Sequence, residues 1–138
     1  MHMKSAMAEI PYVGLLSHAQ TVPTLGRASG LREERVIEVC EAMIDICSAL
    51  YNVSGKELRQ TGRTANDVSR VRQIAMYVTH VSLGVSMQEV GRGFFRDRTT
   101  VRHACHLVED MRDDVDFDRT IAVTERVALA AFRHRLEV

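Results

Sequence analysis

Wherever this chain shows a clear apolar pattern, its hydrophobic positions return every three to four residues, and nowhere do they alternate, so the sequence predicts an all-α protein. Over residues 31–50, Val36, Val39, Cys40, Met43, Ile44, Cys47 and Leu50 form one stripe, with Glu33, Glu34, Glu38, Glu41 and Asp45 opposite. Tyr51-Asn52-Val53 breaks that helix, and Ser54 with Glu57 has the capping-box spacing for a short helix through Leu58. QTGRTAN (60–66) is a polar loop, after which Asp67 opens a helix whose stripe is Val68, Val71, Ile74, Ala75, Val78 and Val81, with Gly84 as its stop. Residues 1–30, with weak periodicity, two prolines and three glycines, are expected to be a poorly structured leader with one short helical turn near 13–18. At the other end DDVDFD (113–118) is expected to be a solvated acidic link. Residues 119–136 follow as a final helix carrying Ile121, Val127, Leu129, Ala130 and Phe132, which covers the core or forms a homodimer. The expected division is leader 1–30, domain 31–112, and link plus C-terminal helix 113–138.

Between the third and last of these segments lies SMQEVGRGFFRDRTTVRHACHL (86–107), two short helices meeting at a tight turn. Ser86 and Glu89 repeat the capping-box spacing, and Met87, Val90 and Phe94 are the first helix's apolar stripe. Gly91 and Gly93 let another element approach closely or let the helix end. Asp97 is placed to cap the second helix, its carboxylate accepting from the N–H of Thr99 or Thr100. Val101, Ala104, Cys105 and Val108 then face inward, leaving Arg98, Thr99, Arg102, His103 and His106 outside. This is the pattern of a helix-turn-helix, whose second helix enters the DNA major groove by its N-terminal residues.

Charge sharpens that picture. The formal net charge of the 138 residues is zero, which alone argues against a polyanionic partner. Residues 54–106, however, hold nine basic and four acidic residues, a surplus of five that the acidic flanks cancel. Such segregation suits a protein that meets a polyanion with one face. Sixteen of the eighteen basic residues are arginines, whose planar fork fits phosphate and guanine.

Other chemistries find little support. Cys40 and Cys47 are seven positions apart on one helix, roughly 10 Å along its axis at ~1.5 Å per residue, too far for a disulfide. With Cys105 on another inner face, the three thiols read as reduced, buried, small hydrophobes. His103, Cys105 and His106 point in different directions with no second ligand pair nearby, so no metal site and no cofactor are expected. No Ser/His/Asp or paired-carboxylate constellation has a usable spacing, and the chain is not read as an enzyme. Lacking an apolar run of membrane-spanning length and a signal-peptide pattern, it is expected in the cytoplasm, associated with the nucleoid.

Three strings carry a family resemblance: VSRVRQIAMY (68–77), SMQEVG (86–91) and RDRTTVRHAC (96–105). In order and spacing they resemble the C-terminal DNA-binding domain of the bacterial chromosomal replication initiator DnaA, over about residues 33–112. The resemblance implies an all-helical domain that recognises a short duplex box at replication origins, with Arg72 in the minor groove and Asp97 and Thr99 reading bases in the major groove. The candidate DNA-contact set is Arg63, Arg70, Arg72, Gln73, Ser86, Gln88, Arg96, Asp97, Arg98, Thr99, Thr100, Arg102 and His103. Arg98 stands where the family has histidine. The turn Phe94-Phe95-Arg96 is one residue shorter than the family's Gly-Gly turn. The family's dense basic loop is thinned to Arg59 and Arg63 before Arg70. The lone Gly55-Lys56 belongs to no GxxxxGK[ST] motif, so no nucleotide cofactor is expected. The reading is a stand-alone regulator of replication or transcription that binds double-stranded DNA. The alternative is a protein-interaction module that keeps the fold without binding DNA.

Overall fold

Six helices follow one another in the computed structural model, which describes residues 25–62, 65–133 and 135–136. They are α1 (Leu25–Tyr51), α2 (Gly55–Arg59), α3 (Asn66–Val81), α4 (Met87–Phe94), α5 (Arg98–Met111) and α6 (Val115–Phe132). No strand occurs among the described residues, and the fold is all-α. The turn expected near 13–18 lies outside the described residues, as does Arg63.

The boundaries follow local chemistry. Asn52 takes φ 56° just past α1, a left-handed conformation that asparagine tolerates and that ends the helix. Ser54 caps α2 by accepting from the Glu57 N–H at 3.1 Å, and Gly84 turns the chain after α3 at φ 72°. At α4 the capping box is complete: Ser86 Oγ accepts from Glu89 N–H, and Glu89 Oε1 accepts from Ser86 N–H, both at 3.1 Å.

Two expectations are corrected. Helix α1 starts at Leu25 rather than 31 and carries Gly30 inside it, at the cost of about 1 kcal/mol that a mid-helix glycine has relative to alanine. The acidic run is not a link: Asp114 caps α6 by accepting from Phe117 N–H at 2.9 Å, and Asp116 and Asp118 occupy the first turn, where carboxylates favour the helix dipole.

Helix α3 is the hub, packing against each of the other five. Its Ile74, Ala75, Met76, Tyr77 and Val78 are buried with Val36, Val39, Cys40, Met43 and Cys47 of α1 and with Val101, Ala104 and Val108 of α5. Leu50 and Val81, at the ends of their stripes, run past the core and are exposed. Helix α6 covers the core with Ile121, Thr124 and Ala128. Val127, Leu129 and Phe132 are only half-buried, and Ala130 is exposed. Thr124 is accommodated because its hydroxyl meets Tyr51 OH at 2.6 Å and donates to Thr120 O at 3.0 Å.

Arg112, just past α5, holds α6 in place. It pairs with Asp118 at 2.5 Å and Glu125 at 3.1 Å, and lies over the Tyr77 ring, whose hydroxyl donates to Glu109 at 2.6 Å. All three cysteines are free and buried, and burial pushes the Cys40 and Cys47 thiols up to about 12 and that of Cys105 up to about 11. At neutral pH they carry almost no nucleophilic thiolate.

Candidate nucleic-acid interface

Helices α4 and α5 meet at a turn whose tightness depends on two glycines. A Cβ on Gly91 would lie 2.6 Å from the Arg96 carbonyl oxygen, and one on Gly93 would lie 2.7 Å from Cys40 Cβ. Gly91 therefore lets the turn fold back on α4, and Gly93 lets α4 settle on α1. The Arg96 backbone N–H donates to Gly91 O at 2.8 Å, closing the end of α4, while Phe95 occupies the left-handed cap position at φ 56° and ψ 48°.

Helix α5 is then sharply two-sided. Val101, Ala104, Cys105 and Val108 are buried, whereas Asp97, Arg98, Thr99, Thr100, Arg102 and His103 are exposed. Asp97 sits at the N-cap position without making the side-chain capping bond expected of it, so its carboxylate stays available on the surface. Arg98 has no ion pair with Asp97, Asp110 or any other described residue, and neither has Arg102. Gln88, exposed on α4, shares an open groove with Arg96, Asp97 and Arg98. Ser86 is exposed but occupied in its capping box.

Two of the candidate arginines are turned inward. Arg72 is 8% exposed, and its guanidinium donates to Leu58 O at 2.8 Å and Glu57 O at 3.1 Å, tying the end of α2 to α3. Arg96, half-buried, donates to Phe94 O at 3.2 Å, Phe95 O at 3.1 Å and Gln60 O at 2.5 Å. Burial lowers the pKa of both, and for Arg72 the nearby Arg96 charge adds to it. In this arrangement Arg72 braces α2 against α3. Arg70, half-buried on α3, instead donates to the Gln73 side chain at 3.0 Å. Phe95, which the sequence reading did not single out, is exposed at the turn before α5.

The profile of the family described as "Bacterial dnaA protein helix-turn-helix" matches residues 40–108, half of the chain and the whole of α2 through the start of the last turn of α5. The chain belongs to that family. Among similar proteins, the chromosomal replication initiator protein DnaA of Gluconobacter oxydans (strain 621H) is 38% identical over 69 residues, and that of Laribacter hongkongensis (strain HLHK9) is 34% identical over 67. The protein of the same name from Mesorhizobium japonicum is 44% identical over 63 residues. These matches cover 49%, 47% and 45% of this chain but only 14%, 14% and 12% of the relatives, so the likeness is confined to the helix-turn-helix head. Within the DnaA-type head no group of three His, Cys, Asp or Glu side chains that could hold a metal ion occurs among the described residues. No described helix is long and apolar enough to cross a membrane.

Proposed function

We propose that this chain is a sequence-specific duplex-DNA-binding protein that regulates replication initiation or transcription. The observation that carries the reading is the exposed N-terminal half of α5, with Arg98, Thr99, Thr100, Arg102 and His103 on one face of a helix whose other face is buried. In a helix-turn-helix that half enters the major groove. There the Arg98 fork fits guanine O6 and N7, Thr99 fits a thymine methyl, and the uncapped Asp97 can accept from a cytosine amine. Ser86 and Gln88 at the start of α4 and Arg102 and His103 further along α5 are assigned to the flanking phosphates, with Arg63 joining them from the loop. For the minor groove the geometry favours Arg70 over Arg72. Arg70 gives up one side-chain bond to Gln73 by moving, whereas Arg72 would give up two bonds to the backbone carbonyls of Leu58 and Glu57 from a buried position. The relatives' name, chromosomal replication initiator protein, supports replication initiation as the process.

The alternative, an interaction module without DNA binding, has one observation in its favour. Arg59, Arg72, Arg92 and Arg96 are all engaged within the fold, so part of the basic surplus is not surface charge. Mobility shift on duplexes selected from a random library separates the two readings. With Arg63 and Arg102 on phosphates and Arg70 in the minor groove, log K should fall with log salt at a slope of roughly −2 to −3. Absence of any shift at low salt leaves the interaction module. The proposal extends to a homodimer across α6, whose outer face exposes Val123 beside Val127 and Ala130. Light scattering checks it, and a monomer mass across the concentration range removes that part alone.

A further inference from the structure

Phe95 is 73% exposed, more than any other large hydrophobic side chain among the described residues, and contributes little to the core. It also holds φ 56° and ψ 48° at the end of α4, a conformation that costs any residue with a Cβ and that glycine adopts freely. Neither packing nor backbone conformation accounts for phenylalanine here, and folding alone favours glycine. A residue kept in a strained conformation with its ring in solvent points to a contact made outside the chain.

The surroundings say what kind of contact. Phe95 lines an open groove with Gln88, Arg92, Arg96 and Arg98. Arg92, exposed, pairs with Glu33 at 3.2 Å, and Arg96 is held by three backbone carbonyls, so two cations line the same groove as the ring. A ring in a groove lined by cations matches a ligand whose anionic edge alternates with apolar carbon. Duplex DNA has that alternation: phosphate beside deoxyribose, and thymine methyls along the major-groove edge. The position three residues before Arg98 sets the ring at the rim of the surface that α5 presents.

We propose that Phe95 is a DNA-contact residue built into the helix-turn-helix turn, packing on the deoxyribose or thymine-methyl carbon that flanks the box read by α5. The inference rests on the DNA-binding reading above. Phe95→Gly tests it because stability and affinity should move in opposite directions. The melting temperature should rise by roughly 2–5 °C, since glycine takes the left-handed conformation without steric cost. Affinity for the selected duplex should fall roughly three- to thirty-fold, the scale of one lost apolar contact. Phe95→Leu, which keeps apolar bulk and strain, should retain most of the affinity without the thermal gain. Uracil in place of flanking thymines distinguishes the two carbon surfaces: a methyl contact weakens the parent but not Phe95→Gly, and a deoxyribose contact leaves both unaffected by the change. Equal binding by parent and Phe95→Gly overturns the proposal, as does a Phe95→Gly protein that melts below the parent. If the parent binds no duplex at all, the reading beneath it fails, and this inference with it.

Discussion

Arg70 and Arg72 are two positions apart on α3, and the helix turns the second inward and leaves the first at the surface. Their substitution by alanine should therefore fail in different ways. Arg72→Ala leaves the carbonyls of Glu57 and Leu58 without their charged donor, and a loss of roughly 2–4 kcal/mol in unfolding free energy is expected from denaturant titration. Arg70→Ala should leave stability nearly unchanged, weaken binding most where an A·T-rich flank narrows the minor groove, and reduce the salt slope by about one. Arg98 answers a different question. Unpaired in the first turn of α5, it should, on the proposed DNA-binding reading, discriminate guanine by roughly 1–3 kcal/mol, where the histidine of the family offers a single donor. Selected sites of Arg98→His should lose that guanine and return to a DnaA-like box. A uniform loss of affinity with the same preferred sequence would instead place Arg98 on the backbone.

The elements were mostly legible, because caps and stripes are local signals. Ser86 with Glu89 announced α4, the stripe from Val68 to Val78 announced α3, and the inward and outward faces of α5 separate as its periodicity requires. What stayed hidden depends on partners distant in sequence or on backbone conformation. The acidity of Asp114, Asp116 and Asp118 fits a solvated link as well as a helix start, and the Asp114 cap together with the clamp of Arg112 on Asp118 and Glu125 favours the helix. The inward turn of Arg72 needs carbonyls fourteen and fifteen residues away. The left-handed Phe95 breaks the glycine preference that made the turn readable. Gly91 shows how magnitudes decide at this scale. Helix propensity alone says that Gly91→Ala gains about 1 kcal/mol. A Cβ 2.6 Å from the Arg96 carbonyl pushes against backbone, and overpacking of that kind costs about 1–3 kcal/mol, so net destabilisation is expected. Thermal melts check the sign; a stabilised Gly91→Ala would mean that the turn yields more easily than its geometry implies.

On the scale of the whole molecule, stability should be flat through neutral pH and fall on both sides for different reasons. Glu89 is the acid-side group. Burial opposes its charge, but the Arg32 guanidinium at 3.3 Å and the Ser86 N–H outweigh it, and the carboxyl is held below its ordinary value of 4.5. A depressed acid contributes stability that is present above its unfolded pKa and is lost as pH falls through the folded one. The acid limb should therefore begin below pH 4.5, as α4 loses its cap and its tie to α1. The thiols act on the other side. Their folded pKa values lie at about 12, 12 and 11 against 9.0 for the free group, so their contribution is complete below pH 9 and is lost as pH rises above it. Tyr51 and Tyr77, also raised from 10.0 chiefly by burial, add to the same limb. Melting temperatures from pH 3.5 to 10.5 should trace a plateau with these two shoulders. Glu89→Gln should lower the plateau by about 1 kcal/mol, the scale of one cap and one partly exposed ion pair, and remove most of the acid shoulder while leaving the alkaline one in place. An acid shoulder unchanged in Glu89→Gln would assign it to the other carboxylates, among them Asp118 and Glu125 on Arg112, and would mean that the junction of α1 and α4 is not where the fold first yields to acid.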